Sequence, residues 1–185
     1  IAPYVAYAPA GADAAFAGIV APGTGTLLAD GSIEAPKGVE GFGKCLLHAI
    51  EGLLQRGHRA ACVLNSDSPS LPTRSLVRAA RLLAQPSDRV VLGPAEDGGY
   101  YFLGMSRAHA VLFTDIAWST GQVAAQTRAR TAAAQLPLVE LEAWFDVDDP
   151  PALRRLLGAL TEAQADGAFV APRTRRCAYE FGLIG

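Results

Sequence analysis

The amino-acid sequence predicts an α/β fold with a mainly parallel sheet. Apolar segments of strand length alternate with longer segments whose apolar residues recur three and four positions apart, as on one face of a helix. Strands joined by helices in this way run parallel to one another. A chain of 185 residues, half of them apolar, fills one core but is too short for two typical domains. We therefore expect a single domain over residues 1–185, with residues 161–185 at its periphery.

The individual elements are predicted from this periodicity and from the positions of Gly and Pro. Strands are predicted at residues 1–8, 60–64, 90–92, 100–103 and 136–141. Helices are predicted at residues 42–56, 73–83, 121–134 and 150–160, with shorter helical pieces before residue 19 and at 105–112. Residues 21–41 are rich in Gly and Pro, so we interpret them as a loop or an irregular connection. Thr73 is predicted to cap one helix, and Ser119 or Thr120 to cap the next.

Charge and cysteine content restrict the partners and the compartment. Sixteen basic and eighteen acidic residues give a net charge of −2, which provides no basic surface for nucleic acid or an anionic membrane. No apolar run approaches membrane-spanning length, and no signal peptide opens the sequence. Cys45, Cys62 and Cys177 show no metal-ligand spacing and indicate free thiols in a reducing compartment. We expect a cytoplasmic protein whose partners are small molecules.

Residues 38–44 match the spacing of a phosphate-binding loop, but their context argues against one. The next residue is Cys45, where such loops need a Ser or Thr hydroxyl for magnesium. The preceding residues 34–37 do not form a buried strand, as the motif requires. A helix that begins here could still attract a phosphate group through its N-terminus, with help from Lys44.

Three acidic loops each follow a predicted strand. They contain Asn65, Ser66 and Asp67 in the first, Asp97, Gly98, Gly99 and Tyr100 in the second, and Asp146 and Asp148 in the third. Each loop also has a local explanation. Asp67 suits a turn, adjacent glycines are ordinary hairpin residues, and Asp148 or Asp149 suits a helix N-cap.

The three loops together predict a functional site. The carboxyl ends of parallel strands lie along one edge of a sheet, so Asp67, Asp97, Asp146 and Asp148 are expected to converge on one cleft. Carboxylates crowded together repel one another unless a cation neutralises them, which favours Mg²⁺ or Mn²⁺. Such an ion would hold a diphosphate and stabilise the charge on a departing phosphate oxygen. Ser119 and Thr120 are candidates to line the same cleft.

Four ordered segments then resemble a known family. NSDSPSLP at residues 65–72, VLGPAEDGGYYFLG at 91–104, IAWST at 116–120 and WFDVDDPPAL at 144–153 resemble the bacterial glycosyltransferase-A-type family of nucleotide-diphospho-sugar transferase-like proteins. Some members are named as arsenosugar-biosynthesis glycosyltransferases. The resemblance covers about residues 4–157 and implies a three-layer αβα sandwich. It also implies a metal-dependent enzyme with a nucleotide-sugar or nucleotide substrate.

The resemblance implies a role for several residues. Asp67, Asp146 and Asp148 are expected to be metal ligands, and Asp97 a base or a hydroxyl-binding group. Substrate-binding residues are expected to be Asn65, Ser66, Gly98, Gly99, Tyr100, Ser119 and Thr120. Asn65 occupies a position where the family more often has glycine.

The family's first strand and its basic nucleotide loop have no counterpart in this sequence. That strand is central in the family's sheet, so its absence would leave two sheet edges unpaired. We therefore expect either that the polypeptide begins further upstream or that another chain fills the gap, for example in a homodimer.

Three functions remain open from the sequence. The first is metal-assisted glycosyl transfer from a nucleotide-diphospho-sugar donor to a small-molecule acceptor. The second is nucleotidyl transfer, in which the same carboxylates orient a phosphorylated substrate against a nucleoside triphosphate. The third is a non-catalytic relative that binds nucleotides or assembles with a partner.

Overall fold

The computed structural model describes residues 1–161 and 171–185, so residues 162–170 of the predicted peripheral tail lie outside the described residues. The strands are β1 (Tyr4–Tyr7), β2 (Gly25–Leu28), β3 (Ala61–Leu64), β4 (Val90–Pro94), β5 (Tyr100–Met105) and β6 (Leu138–Glu140). The α-helices are α1 (Gly41–Gln55), α2 (Thr73–Leu83), α3 (Val123–Ala133), α4 (Pro150–Thr161) and α5 (Pro172–Glu180). Short 3-10 helices occupy Ala12–Phe16 and Ala110–Phe113.

The strands form two sheets. β1 and β2 pair in parallel with each other, and the larger sheet has the order β3-β5-β4-β6. In the larger sheet β4 and β6 are parallel, whereas β5 is antiparallel to both β3 and β4. Because β5 reverses direction between them, β3 and β4 run the same way. The three strands that precede the acidic loops are therefore parallel to one another.

Helices cover both faces of the larger sheet. Val90 and Leu92 of β4 point to one face, where they join a buried cluster with Leu47 and Ile50 of α1. Val91 points to the other face and packs in a cluster with α2. Strand residues buried on alternate sides in this way belong to a sheet covered on both faces. The predicted α/β fold with three αβα layers is confirmed. The larger sheet is not mainly parallel as predicted, because β5 pairs antiparallel with both of its neighbours.

Some predicted elements are corrected by the structure. Residues 25–28 form strand β2 inside the segment that was interpreted as a loop. The short apolar pattern of these residues does not predict a strand, and pairing with β1 stabilises it. β3, which the all-apolar residues 60–64 predict, lies at the edge of its sheet, and Leu64 is 48% exposed. Thr73 is the first residue of α2 rather than its cap, which is Pro72. Gln122, rather than Ser119 or Thr120, is the N-cap of α3.

Helix α5 lies in the tail that the sequence left without assigned structure. It packs against α4, and the two helices share a buried cluster with Phe145. No helix in residues 1–161 or 171–185 combines the length and the apolar character that crossing a membrane requires.

The turn between β4 and β5 is tightly fitted against the start of α3. Gly98 has a φ of +93°, and a Cβ atom placed there would lie 2.1 Å from the carbonyl oxygen of Gly121. The carbonyl oxygen of Gly98 also accepts a hydrogen bond of 2.9 Å from the Ala124 N–H. Gly98 is therefore required both by its backbone conformation and by the close approach of a second loop.

A pair of glycine substitutions tests this requirement. Gly98→Ala is expected to lower the free energy of unfolding by about 2 to 4 kcal/mol, through strain and a backbone clash. Gly158→Ala, in exposed α4 with open space around it, is expected to raise that free energy by about 0.5 to 1 kcal/mol. Urea denaturation monitored by circular dichroism measures both. Equal stability of the two variants would contradict the packing described for the turn.

Candidate functional site

One cleft of about 520 Å³ lies at the edge of the sheet where β3, β4 and β6 end. The residues that line it are Phe42, Asn65, Asp67, Asp97, Gly99, Tyr100, Trp118, Ser119, Thr120, Gly121, Val123, Asp146 and Asp148. The structure thus brings together the predicted site residues except Ser66 and Gly98, which do not line the cleft. Their roles in binding and catalysis stay predictions.

Backbone hydrogen bonds fasten the three acidic loops to one another. The Val147 N–H donates to the Asp67 carbonyl over 3.0 Å, which joins the loops after β6 and β3. The Glu96 N–H donates to the Trp144 carbonyl over 3.0 Å, and the Trp144 N–H donates to the Pro94 carbonyl over 3.1 Å. The loop after β6 is therefore bonded on both sides. This arrangement holds the carboxylates of separate loops around one space.

An ion pair adds to the attachment of the second loop. The Arg155 guanidinium of α4 makes two hydrogen bonds, of 2.6 and 3.1 Å, to the Glu96 carboxylate. The same guanidinium lies 3.9 Å above the centre of the Phe145 ring. The Arg155 hydrogen bonds hold the pKa of Glu96 below its usual value. Arg155 was not among the predicted site residues, because the leucine pattern of its helix indicates only a packed face.

Some of the acidic side chains make local hydrogen bonds, as their sequence context allowed, and others line the cleft. Asp149 accepts a hydrogen bond of 2.7 Å from the Ala152 N–H and so caps the first turn of α4. Asp148 lines the cleft instead. Asp97 accepts a 2.8 Å hydrogen bond from the Gly99 N–H, so it shapes the turn as well as lining the cleft. Thr120 is also committed locally, since its hydroxyl donates to the Ala117 carbonyl over 2.7 Å.

Three carboxylates of the cleft act electrostatically on the fourth, Asp146. The pKa of Asp146 is raised above its ordinary value, first because the side chain is partly removed from water and then because Asp97, Asp148 and Asp67 repel its negative charge. Within the described parts of the chain, no three His, Cys, Asp or Glu side chains are grouped closely enough to hold a metal ion by themselves. The carboxylates face one space without forming a closed cage.

This open set of carboxylate oxygens suits a divalent ion such as Mg²⁺. Mg²⁺ is usually held by one or two carboxylates together with water and substrate phosphates, rather than by a cage made only of protein groups. The described lining of the cleft includes no Lys, Arg or His side chain to neutralise the acids. Oxygen donors without a competing cation suit a divalent ion that is completed by a bound phosphate.

Aromatic rings form a second, apolar side of the cleft, and of these rings only Tyr100 was among the predicted site residues. Phe42 and Trp118 meet edge to face, with ring centres 5.6 Å apart, and Trp118 meets Tyr100 in the same manner at 6.4 Å. A Cβ atom on Gly43 would lie 2.7 Å from the Trp118 ring, so glycine there lets the ring rest on α1. Phe42 is 61% exposed, an unusual feature for Phe that its position at a helix start could have signalled.

Comparisons with known proteins agree with this fold. Residues 1–120 match the model of the family DUF2064, described as an uncharacterized protein conserved in bacteria. A crystal structure from Desulfovibrio desulfuricans G20, provisionally named a nucleotide-diphospho-sugar transferase, superposes with a TM-score of 0.72 at 21% sequence identity. The superposition covers 97% of this chain and 74% of the other chain. No curated protein matches the chain. At this identity the likeness shows a shared fold.

Asp146 provides a test of the electrostatic crowding. A raised pKa means that the folded protein binds this proton more tightly than the unfolded chain does. Protonated Asp146 therefore favours the folded state at low pH. This stability is lost as the pH rises through the raised pKa and the side chain ionises. Asp146→Asn is expected to raise the Tm of the metal-free protein by about 1 to 3 °C at pH 7.

The pH dependence supplies the control. The difference in Tm between Asp146→Asn and the wild type should shrink as the pH falls through the raised pKa of Asp146, because the wild-type carboxyl group then becomes protonated. Differential scanning calorimetry in a buffer with chelator measures both. A lower Tm for the variant at pH 7 would show that the Asp146 charge stabilises the fold instead.

Proposed function

The chain belongs to the bacterial family DUF2064, and from this premise we propose that it is a metal-dependent transferase that acts on a nucleotide-diphospho-sugar donor. The observation that carries the proposal is the convergence of Asp67, Asp97, Asp146 and Asp148 on one cleft at the carboxyl edge of the sheet. In open α/β sheets, ligands bind in the crevice beyond this edge. The fold shared with the Desulfovibrio protein supports the same class of donor.

Charge determines how such a donor would bind. A diphosphate is repelled by four carboxylates, so it requires a cation between them. The carboxylates that would hold Mg²⁺ or Mn²⁺ come from Asp67, Asp146 and Asp148. One or two of them would bind the ion directly, with phosphate oxygens and water completing its coordination. When bound, the ion would neutralise the negative charge that develops on the diphosphate as it leaves. The protein's own contribution is to fix these carboxylates by the backbone bonds between their loops.

We propose that Asp97 acts on the acceptor. In glycosyl transfer, an acceptor hydroxyl oxygen bonds to the anomeric carbon while the bond from that carbon to the diphosphate oxygen breaks. The electron pair of the broken bond leaves with the nucleoside diphosphate, and the hydroxyl proton passes to a base. One Asp97 oxygen is held by the Gly99 N–H, which fixes the orientation of the carboxylate beside the cleft. We assign the base to this side chain.

A matched set of variants tests donor binding. Thermal unfolding is measured with UDP-glucose, GDP-mannose and ADP-glucose, the matching diphosphates, and ATP and GTP, each with Mn²⁺ and with chelator. A donor at a hundred times its Kd should stabilise the wild type by about 2.7 kcal/mol, with Mn²⁺ only. Asp67→Asn and Asp148→Asn should each remove this effect.

Asp149→Asn is the control, because it makes the same change in charge next to Asp148 and keeps a good N-cap for α4. It should retain the full response. Stabilisation by triphosphates but not by sugar diphosphates would favour nucleotidyl transfer. The absence of a response to every nucleotide would favour the non-catalytic alternative and overturn the proposal.

The role of Asp97 is tested separately. Asp97→Asn keeps an oxygen that can accept the Gly99 hydrogen bond, so the turn and donor binding should survive. Without a base, kcat for release of nucleoside diphosphate should fall about 10² to 10⁴-fold, with little change in the Kd of the donor. Unchanged kcat would limit Asp97 to its role in the turn.

A further inference from the structure

Two buried polar atoms of the cleft residues have no hydrogen-bond partner. Within the described residues, the buried side-chain atoms without a partner belong to His48, Asn65, Arg89 and Tyr100. Asn65 and Tyr100 line the cleft, whereas His48 and Arg89 do not. A buried polar group without a partner is unfavourable, so a native structure that keeps one usually needs it for a ligand or another function.

The surrounding hydrogen bonds determine which atom of Asn65 lacks a partner. The Ser68 hydroxyl donates its single proton to the Phe145 carbonyl over 3.1 Å. Ser68 Oγ must therefore accept the 3.1 Å hydrogen bond that it shares with Asn65, and only the Asn65 Nδ2 group can donate it. The amide is thus oriented by its neighbours. Its Oδ1 atom remains as an acceptor that needs a donor.

Tyr100 supplies the complementary atom. Burial raises the pKa of its phenol, so the hydroxyl stays protonated and able to donate. Its oxygen is buried without a partner, and its ring meets the Trp118 ring edge to face. Tyr100 and Asn65 both line the cleft, so its wall contains one hydroxyl group that can donate and one amide oxygen that can only accept.

These two atoms select against phosphate and in favour of a hydroxyl group. An ionised phosphate oxygen carries no proton to donate to Asn65, and its charge is repelled by the nearby carboxylates. A hydroxyl group can accept from Tyr100 and donate to an amide oxygen. The Trp118 and Phe42 rings add apolar surface, against which the C–H face of a ring can pack.

We propose that Tyr100 and Asn65, together with the Trp118 and Phe42 rings, form a subsite for the hydroxyl groups of a neutral sugar ring. The proposal rests on the proposed function, because it names the part of the cleft that a sugar occupies beside the metal and phosphates. The sugar can come from the donor or from an acceptor, since both carry the same hydroxyl chemistry. Tyr100 and Asn65 are then the residues that determine specificity.

Binding requires a small movement of the aromatic side. The unpartnered atoms are buried, so a sugar reaches them only when neighbouring side chains of the cleft shift. Phe42 has room to move because it is largely exposed at the first turn of α1. The cost of leaving two polar atoms without partners is relieved only when the ligand is bound, and this difference favours the shifted arrangement.

The adjacent residue Tyr101 provides a matched control. Its hydroxyl donates to the Glu142 carbonyl over 2.9 Å, and its ring packs with α2 on the other face of the sheet. Tyr100→Phe and Tyr101→Phe each remove one oxygen atom from neighbouring tyrosines. Only the first removes an atom that lacks a partner in the ligand-free protein.

The experiment measures sugar binding by Trp118 fluorescence, in a Trp144→Phe background that leaves Trp118 as the remaining tryptophan. Sugar nucleotides with Mn²⁺ are compared with their matching diphosphates, and methyl glucoside and methyl mannoside are titrated alone and with diphosphate. Tyr100→Phe should weaken the sugar-dependent part of the affinity by about tenfold to hundredfold, without lowering the Tm of the ligand-free protein. Tyr101→Phe should lower the Tm and leave sugar binding unchanged.

The two sources of sugar and the two proposals give separate results. If a sugar nucleotide binds more tightly than its diphosphate, the subsite holds the donor's sugar. If a free glycoside binds, the subsite holds an acceptor. Loss of either affinity in Tyr100→Phe supports the subsite. If diphosphates bind but neither sugar source adds affinity, or if the gain persists in Tyr100→Phe, the subsite is wrong and the proposed function survives. If glycosides bind through Tyr100 but no nucleotide binds, the subsite stands and the proposed function fails. If nothing binds, both fail.

Discussion

The cleft depends on backbone hydrogen bonds that tie the loop after β6 to the loops after β3 and β4. These bonds oppose the electrostatic repulsion inside the cleft. The pKa of Asp146 is raised by burial and, in addition, by the negative charges of Asp97, Asp148 and Asp67. Side chains on unconnected loops would be free to move apart and reduce this repulsion. Main-chain bonds prevent that separation without using any carboxylate oxygen. The acids therefore stay available for a cation.

Much of this arrangement was predictable because it depends on strand direction. The sequence identified apolar strands followed by acids, and parallel strands bring their carboxyl ends to one edge. The reversal of β5 did not disturb the prediction, because two antiparallel pairings restore the original direction between β3 and β4. Strand β2 was missed because four residues with one apolar pair carry too little periodic signal, and its existence depends on distant β1.

The aromatic side of the cleft was less predictable for a different physical reason. Phe42 follows a pattern typical of a helix start, and Trp118 lies in a connection without clear periodicity. Their contact depends on the close approach of a loop to Gly43, and such tertiary distances are not encoded in local spacing. Hydrogen-bond partners are equally hidden. Tyr100 and Tyr101 are identical in type and adjacent in sequence, yet only Tyr101 finds a protein partner.

The two sides of the cleft share one energetic feature. On the acidic side the ligand-free protein crowds like charges, and on the aromatic side it buries polar atoms that bind nothing. Both features reduce stability, and natural proteins usually keep such features where function requires them. A cation with a diphosphate would relieve the first, and a hydroxylated ring would relieve the second. A nucleotide-diphospho-sugar contains both kinds of group in one molecule, so a single ligand can satisfy both sides of the cleft.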